Sequence, residues 1–280
     1  MKNNTQLRSL IFFAIITFGF NSCSVNKANI DDSIKKYFDE NKVEGCFTMY
    51  NNKDGKVTVY NMQLDTMRFT PASTFKIVNS LIGLEIGRIT DEKMLIKWDG
   101  IYHIGPSGDT MTSWNKDLTM EEAFKVSAVP YYQEVARRIG KDTMQHWLDS
   151  LQYGNKIIGN HIDSFWLDNS LKISPDEQLG LVKRLYFDQL PFQKRTQQIV
   201  RDVMIQEDNT LYKLCYKTGW GFDEQNNNIG WVTGWIEENK HPYFFTLLII
   251  SADKKIDMKT VRLNILNGIL KQYGFFKGSM

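Results

Sequence analysis

Pro71-Ala72-Ser73-Thr74-Phe75-Lys76 opens an apolar run, Ile77-Val78-Asn79-Ser80-Leu81-Ile82-Gly83-Leu84-Glu85, around which the rest of the chain can be arranged. Phe75, Ile77, Val78, Leu81, Ile82 and Leu84 recur at the spacing of a mostly buried helix, which predicts a helix over 73–88 with Gly87 at its end. Pro71 suits a helix start, where a missing N–H costs nothing. Ser73 and Lys76, three residues apart, share one helix face. A hydroxyl is a poor nucleophile at neutral pH and needs an adjacent base, so Ser73 is expected to form a covalent bond beside Lys76. Far downstream, Lys217-Thr218-Gly219 adds a cation on a separate strand. Ser-x-x-Lys alone occurs by chance in many helices, as an exposed cap with a solvated lysine. Its partners elsewhere in the chain give it weight.

Residues 44–61 alternate on either side of Asn51-Asn52-Lys53-Asp54-Gly55, the pattern of a hairpin with a glycine in its turn. The middle, 118–205, is helical in pattern, most clearly over 120–126, 131–139 and 143–151. Strands are expected over 212–218, 229–237 and 243–251, the last two joined by Glu238-Asn239-Lys240-His241-Pro242, and a helix over 258–273. Strands, helices, strands and a helix in that order predict an α+β fold. Its mainly antiparallel sheet is built from about 30–70 and 210–280, with a helical part inserted over about 77–205. A cleft should lie between the two.

The chain has 280 residues, 42% hydrophobic and 24% charged, ordinary for a globular enzyme with a full core. Lys2 and Arg8 are followed by an apolar or small run from Leu10 to Phe20, then Asn21-Ser22-Cys23. That run is too short to span a bilayer and reads as an export signal, 1–22, ahead of a catalytic domain, 23–280. Ser22 before Cys23 is similar to a lipobox, which would attach lipid to Cys23 and tether the protein to a membrane in the periplasm or cell envelope. Removing Lys2 and Arg8 from a formal charge of +2 leaves none, and no basic stripe argues for nucleic acid. Cys46 and Cys215 read as buried free thiols. His103, His146, His161 and His241 lack metal-ligand spacing.

S-T-F-K-I-V-N-S-L-I-G-L-E from 73, K-W-D-G at 97–100, S-A-V-P at 127–130, Y-G-N at 153–155, F-W-L at 165–167, K-T-G at 217–219 and G-W-V-T-G-W at 230–235 together resemble the class D, oxacillinase-type, serine β-lactamases. The resemblance spans roughly 30–275. It implies a penicillin-binding-protein-like fold and opening of β-lactam rings through an acyl-serine at Ser73. It also implies that Lys76 takes up CO2, from solution or bicarbonate, as a carbamate (N6-carboxylysine) that serves as general base, with no other cofactor and no metal. Val129 and Trp166 correspond to the residues that line and hydrogen-bond that carbamate. Ser127 corresponds to the proton relay toward the leaving nitrogen; otherwise it reads as a helix cap before Pro130. Lys217 and Thr218 correspond to the pair on the substrate carboxylate, completed by Arg262. Gly219 belongs to the same motif, and Trp220 would supply an oxyanion N–H with that of Ser73. Tyr153 and Asn155 are expected to face the cleft. Where class A enzymes and many penicillin-binding proteins carry S-D-N or S-x-N, this chain has S-A-V, and it has no E-x-x-L-N segment. Both absences steer the base to Lys76.

Three alternatives use the same residues: a β-lactam sensor domain that acylates without deacylating, a cell-wall transpeptidase or carboxypeptidase, and a structural lipoprotein. Substrate range rests on loops such as 100–116 and 220–229, and oligomeric state is open.

Overall fold

The computed structural model describes residues 28–280; the expected export signal and Cys23 lie outside the described residues. A seven-stranded sheet has the order β1-β3-β2-β9-β8-β7-β6, with β1 Asn29–Ile30, β2 Glu44–Asn51, β3 Val57–Tyr60, β6 Ile205–Asp208, β7 Lys213–Phe222, β8 Asn228–Glu238 and β9 His241–Ser251. β4 Leu95–Ile96 and β5 Leu118–Thr119 form a separate pair. All main-sheet pairings are antiparallel except β1 with β3. The two chain ends meet where β2 pairs with β9, from Glu44 opposite Ile250 to Asn51 opposite Tyr243.

The sheet is covered on both faces because its central strands are apolar on both, as in I-G-W-V-T-G-W-I and Y-F-F-T-L-L-I-I. On one face lie α1 Lys35–Glu40 and α9 Met258–Gln272, which bring Phe38, Ile265, Leu266 and Ile269 against Phe47, Val232, Phe245 and Leu247. On the other, α7 Pro175–Tyr186 packs across β2, β8 and β9 and ties the sheet to the helical part. That part holds α3 Lys76–Glu85, α4 Met120–Lys125, α5 Val129–Ile139, α6 Lys141–Leu151 and α8 Lys194–Val203, while short α2 Met62–Thr66 lies against β2. Thr119 and Ser174 start α4 and α7 with reciprocal capping boxes to Glu122 and Glu177. The antiparallel sheet with an inserted helical part is the architecture the element order predicted.

Three local features differ from expectation. The helix predicted from 73 begins as a 3-10 turn, Ala72–Phe75, and becomes α-helical only at Lys76. Ala72 sits at φ 47, a left-handed conformation that costs a non-glycine residue energy and occurs where the surroundings over-determine it. The five-residue turn after β8 is two residues, Asn239 and Lys240, both at positive φ; this is the geometry that matches strand twist in a tight hairpin, and it releases His241 and Pro242 into β9. The helical middle is interrupted over 152–174, where side chains compete for the backbone: Asn155 Oδ1 accepts from Lys172 N at 3.0 Å, its Nδ2 donates to Ser170 O at 2.8 Å, and Asp168 Oδ1 accepts from Ser170 N at 2.9 Å.

Cys46 and Cys215 are buried free thiols. The strand order puts them three strand spacings apart, about 14 Å, beyond disulfide reach.

Candidate active site

Ser73 stands in the 3-10 turn and Lys76 begins α3, so the tighter winding lays one side chain over the other. Lys76 Nζ donates to Ser73 Oγ at 2.7 Å. Ser73 is 8% exposed and Lys76 1%. Among the described residues no carboxylate lies within ion-pair distance of Lys76 to repay its loss of water, and burial pulls the amine down to about 7. Near neutral pH a large share of Lys76 is therefore uncharged, with a free lone pair.

The interrupted segment 152–174 closes over this pair. Phe69 and Ile173 exchange backbone hydrogen bonds, Phe69 N to Ile173 O at 3.0 Å and Ile173 N to Phe69 O at 2.9 Å. The Trp166 carbonyl accepts from Ala72 N and Thr70 Oγ1, both at 3.0 Å. These anchors stack the Trp166 ring on Phe75, with centroids 5.6 Å apart, and bury it completely. Its indole N–H has no acceptor among the described residues. A buried donor without an acceptor is costly, so this atom marks a place shaped for one. Val129, the first residue of α5, lines the neighbouring wall of the cleft.

Ser127 lies between α4 and α5 at φ 58, and Ala128 rather than Ser127 is the N-cap of α5. Its hydroxyl is thereby free of capping, and Lys217 Nζ donates to it at 2.9 Å. Lys217 is 3% exposed and also donates to the Thr218 carbonyl at 3.0 Å. Burial first, then the nearby Lys76 and Arg262 charges, hold this amine well below the ordinary lysine range. Lys217 thus stands behind Ser127, while Thr218 and Arg262 reach the cleft wall.

β6 pairs with β7 only as far as Cys215, so the outer edge of β7 beyond that point is open. Tyr216 N donates outward to Met204 O at 3.0 Å, and the alternation of an antiparallel ladder puts the N–H groups of Thr218 and Trp220 on the same free edge. The turn carrying Ser73 faces this edge. Gly219 permits the approach, since a Cβ there would stand 3.0 Å from Pro71 O and 3.2 Å from the Trp231 side chain. The Trp231 indole donates to Thr70 O at 2.9 Å and clamps the chain entering the turn. Arg262, on α9, donates to Gly219 O at 2.6 Å; its Nε has no acceptor among the described residues, and burial lowers the guanidinium pKa to about 10. Lys76, Lys217 and Arg262 are therefore three buried basic groups with no ion pair among the described residues, of which Arg262 keeps its charge at neutral pH, beside a cleft of about 640 Å³. Such a site favours an organic anion of drug size.

Residues 42–271 match the model of the penicillin binding protein transpeptidase domain. The chain is 38% identical over 251 residues to the protein named "Probable beta-lactamase YbxI" of Bacillus subtilis (strain 168), covering 90% of this chain and 86% of that one. It is 36% identical to beta-lactamase OXA-48 of Klebsiella pneumoniae over 84% of this chain and 86% of that one. Among solved structures, the class D beta-lactamase FUS-1 (OXA-85) of Fusobacterium nucleatum subsp. polymorphum superposes with a TM-score of 0.82 at 38% identity, covering 89% of this chain and 100% of its own. This chain belongs to the class D serine β-lactamases.

Within the class D fold, the structure gathers Ser73, Lys76, Ser127, Val129, Trp166, Lys217, Thr218, Gly219, Trp220 and Arg262 around one cleft. Tyr153 departs from expectation. It is 2% exposed, packed edge-on against Phe75 with centroids 5.5 Å apart, and supports the floor instead of forming a wall, because Gly154 at φ 52 turns the chain inward. Asn155 clasps its own loop, through the bonds given above. Cleft residues that motif reading passed over include Ile104, Met111, Trp114 and Lys259. They are mainly apolar side chains on irregular segments, and no periodicity or reactive chemistry marks them in the sequence.

Proposed function

We propose that this class D enzyme hydrolyses β-lactam antibiotics through an ester on Ser73, with Lys76 carbamylated as the general base. The observation that carries the reading is the desolvated Lys76 amine, 2.7 Å from the Ser73 hydroxyl in a pocket with an unpartnered Trp166 N–H. Only a neutral amine attacks CO2, and burial favours that form. Val129 and Trp166 would hold the product, an apolar wall and one hydrogen-bond donor. Formed on Nζ with loss of one proton, the carbamate supplies the base for both half-reactions.

Ser73 Oγ gives up its proton toward position 76 and attacks the lactam carbonyl carbon. The backbone N–H groups of Ser73 and Trp220 receive the developing oxyanion. As the C–N bond breaks, Ser127 passes a proton to the leaving nitrogen and is resupplied from Lys217, its donor at 2.9 Å. Thr218 and Arg262 hold the substrate carboxylate, a task suited to a guanidinium. The proton held at position 76 returns to Lys217, and the restored base then takes a proton from the water that attacks the ester and hands it to Ser73 as the ester C–O bond breaks.

Turnover of a chromogenic cephalosporin by the domain, abolished in Ser73→Ala, tests the reaction. Activity should fall below about pH 7, where Lys76 protonates, and recover with added bicarbonate; indifference to bicarbonate in CO2-depleted buffer would remove the assigned base. A second reading is a sensor that stays acylated, favoured by the likeness to the "C-terminal domain of the Bacillus licheniformis BlaR penicillin-receptor", with a TM-score of 0.82 at 30% identity over 89% of this chain and 97% of that one. An acyl-protein persisting in mass spectra after penicillin is consumed would select it. We also infer export through residues 1–22 and lipid attachment at Cys23, from the sequence around Ser22. Labelling by radioactive palmitate, lost in Cys23→Ser, is the corresponding test.

A further inference from the structure

K-W-D-G at 97–100 takes no part in the cleft chemistry, yet it builds a second cavity of about 380 Å³ on the far side of Trp114. Trp98, Trp114 and Tyr131 give this cavity an aromatic lining. Its charged rim is unbalanced. Glu134 is shared by Arg137 at 3.1 Å and Arg138 at 2.8 Å, Arg137 also pairs with Asp163 at 2.7 Å, and Asp99 faces His103 at 3.0 Å. Lys97 and Lys116 line the same space, and neither has a carboxylate within 4.0 Å among the described residues. An aromatic hollow with two unpaired ammonium groups suits an anion carried on an apolar body, the body replacing water on the rings and the anion meeting the lysines.

Trp114 and Pro130 belong to the walls of both cavities. The Trp114 indole donates to the Val126 carbonyl at 2.9 Å, immediately ahead of Ser127 in its left-handed conformation, and Pro130 lies in the first turn of α5. A molecule pressed against the outer face of Trp114 therefore bears on the segment that aims Ser127 at Lys217.

We propose that this cavity is an effector site for aromatic carboxylates or sulfonates, and that its occupation changes turnover in the neighbouring cleft through Trp114. The binding half stands independently of the reaction; the coupling half rests on the proposed hydrolysis.

Naphthalene-1-sulfonate is the probe, titrated by calorimetry and added to cephalosporin assays at saturating substrate, where competition in the cleft is suppressed. One probe should bind per chain. Affinity should fall at least tenfold in Lys97→Glu/Lys116→Glu, whose basal turnover stays within twofold, and hold in Arg262→Ala, which removes a cation from the cleft wall. The probe should shift kcat at least twofold in the wild type and not in the double variant. Trp114→Phe should still bind it but lose the kcat response. Should circular dichroism show the double variant misfolded, Lys116→Gln is measured in its place. Loss of binding in Arg262→Ala, inhibition that saturating substrate abolishes, binding indifferent to the lysine changes, or binding without a change in kcat would each overturn the assignment. If the wild type shows no cephalosporin turnover, the proposed hydrolysis fails, and the calorimetric comparison alone decides whether the cavity is a site.

Discussion

Lys76 carries a stability cost that the proposed chemistry requires. Its folded-state pKa, about 7, lies below the ordinary 10.5, so the unfolded chain binds the extra proton between those values. The resulting destabilisation is complete below about pH 7 and disappears as pH rises toward 10.5. Lys76→Met, similar in shape and uncharged, should abolish turnover and raise the unfolding free energy at pH 6.5 by about 1–2 kcal/mol. The gain should shrink at pH 9.5 in CO2-depleted buffer, as urea melts at both values would show. Trp166→Phe keeps an aromatic ring against Phe75 and deletes the unpartnered N–H. With no hydrogen bond to lose in the unmodified protein, folding should hold within about 1 kcal/mol. Activity should drop about 10–100-fold, and more bicarbonate should be needed for half-maximal rate, as expected for a group that supports a reacting residue. Equal bicarbonate response in both proteins would remove Trp166 from that role.

At the level of elements, the proposed reactivity comes from where regular structure stops. The 3-10 turn sets Ser73 over Lys76, the unpaired stretch of β7 presents its N–H edge, and the interrupted segment 152–174 brings Trp166 in from behind. Asn155 holds that segment by a donor at 2.8 Å and an acceptor at 3.0 Å. Asn155→Ala should destabilise the protein by about 1–3 kcal/mol, the cost of leaving such partners unmet, and accelerate amide exchange over 155–172. Mass-spectrometric hydrogen exchange would locate the effect; protection unchanged there would show the loop is held by its apolar anchors alone. The motif Y-G-N was legible as a marked spot, but its role was not. A side chain facing the cleft and one clasping its own loop share the same letters, and only the backbone path separates them.

Across the whole molecule, the sheet and the helical part share one interior. Trp235 and Phe244 of the sheet are buried with Phe75, Tyr153 and Trp166 in one continuous cluster, and α7 spans both parts. Because this cluster joins the helical part to the same sheet whose other face packs against α9, thermal unfolding should be a single transition, with near-UV and far-UV circular dichroism midpoints agreeing within about 2 °C, as cooperative domains behave. Two resolved transitions would mean that the parts are held less tightly than this shared core implies.

Much of this organisation was readable before any coordinates. Alternation and helical spacing identified the strands and helices, because periodic burial imprints itself on residue order, and Ser-x-x-Lys with K-T-G marked the side chains that the structure brings to one cleft, because chemistry restricts residue type. Tertiary structure alone decided that Lys217 stands behind Ser127, that Tyr153 lies under the floor, that Arg262 reaches Gly219, and that two cavities share Trp114. Those outcomes depend on distances between segments far apart in the chain, and on how much water each side chain loses when they meet, neither of which has a local signature.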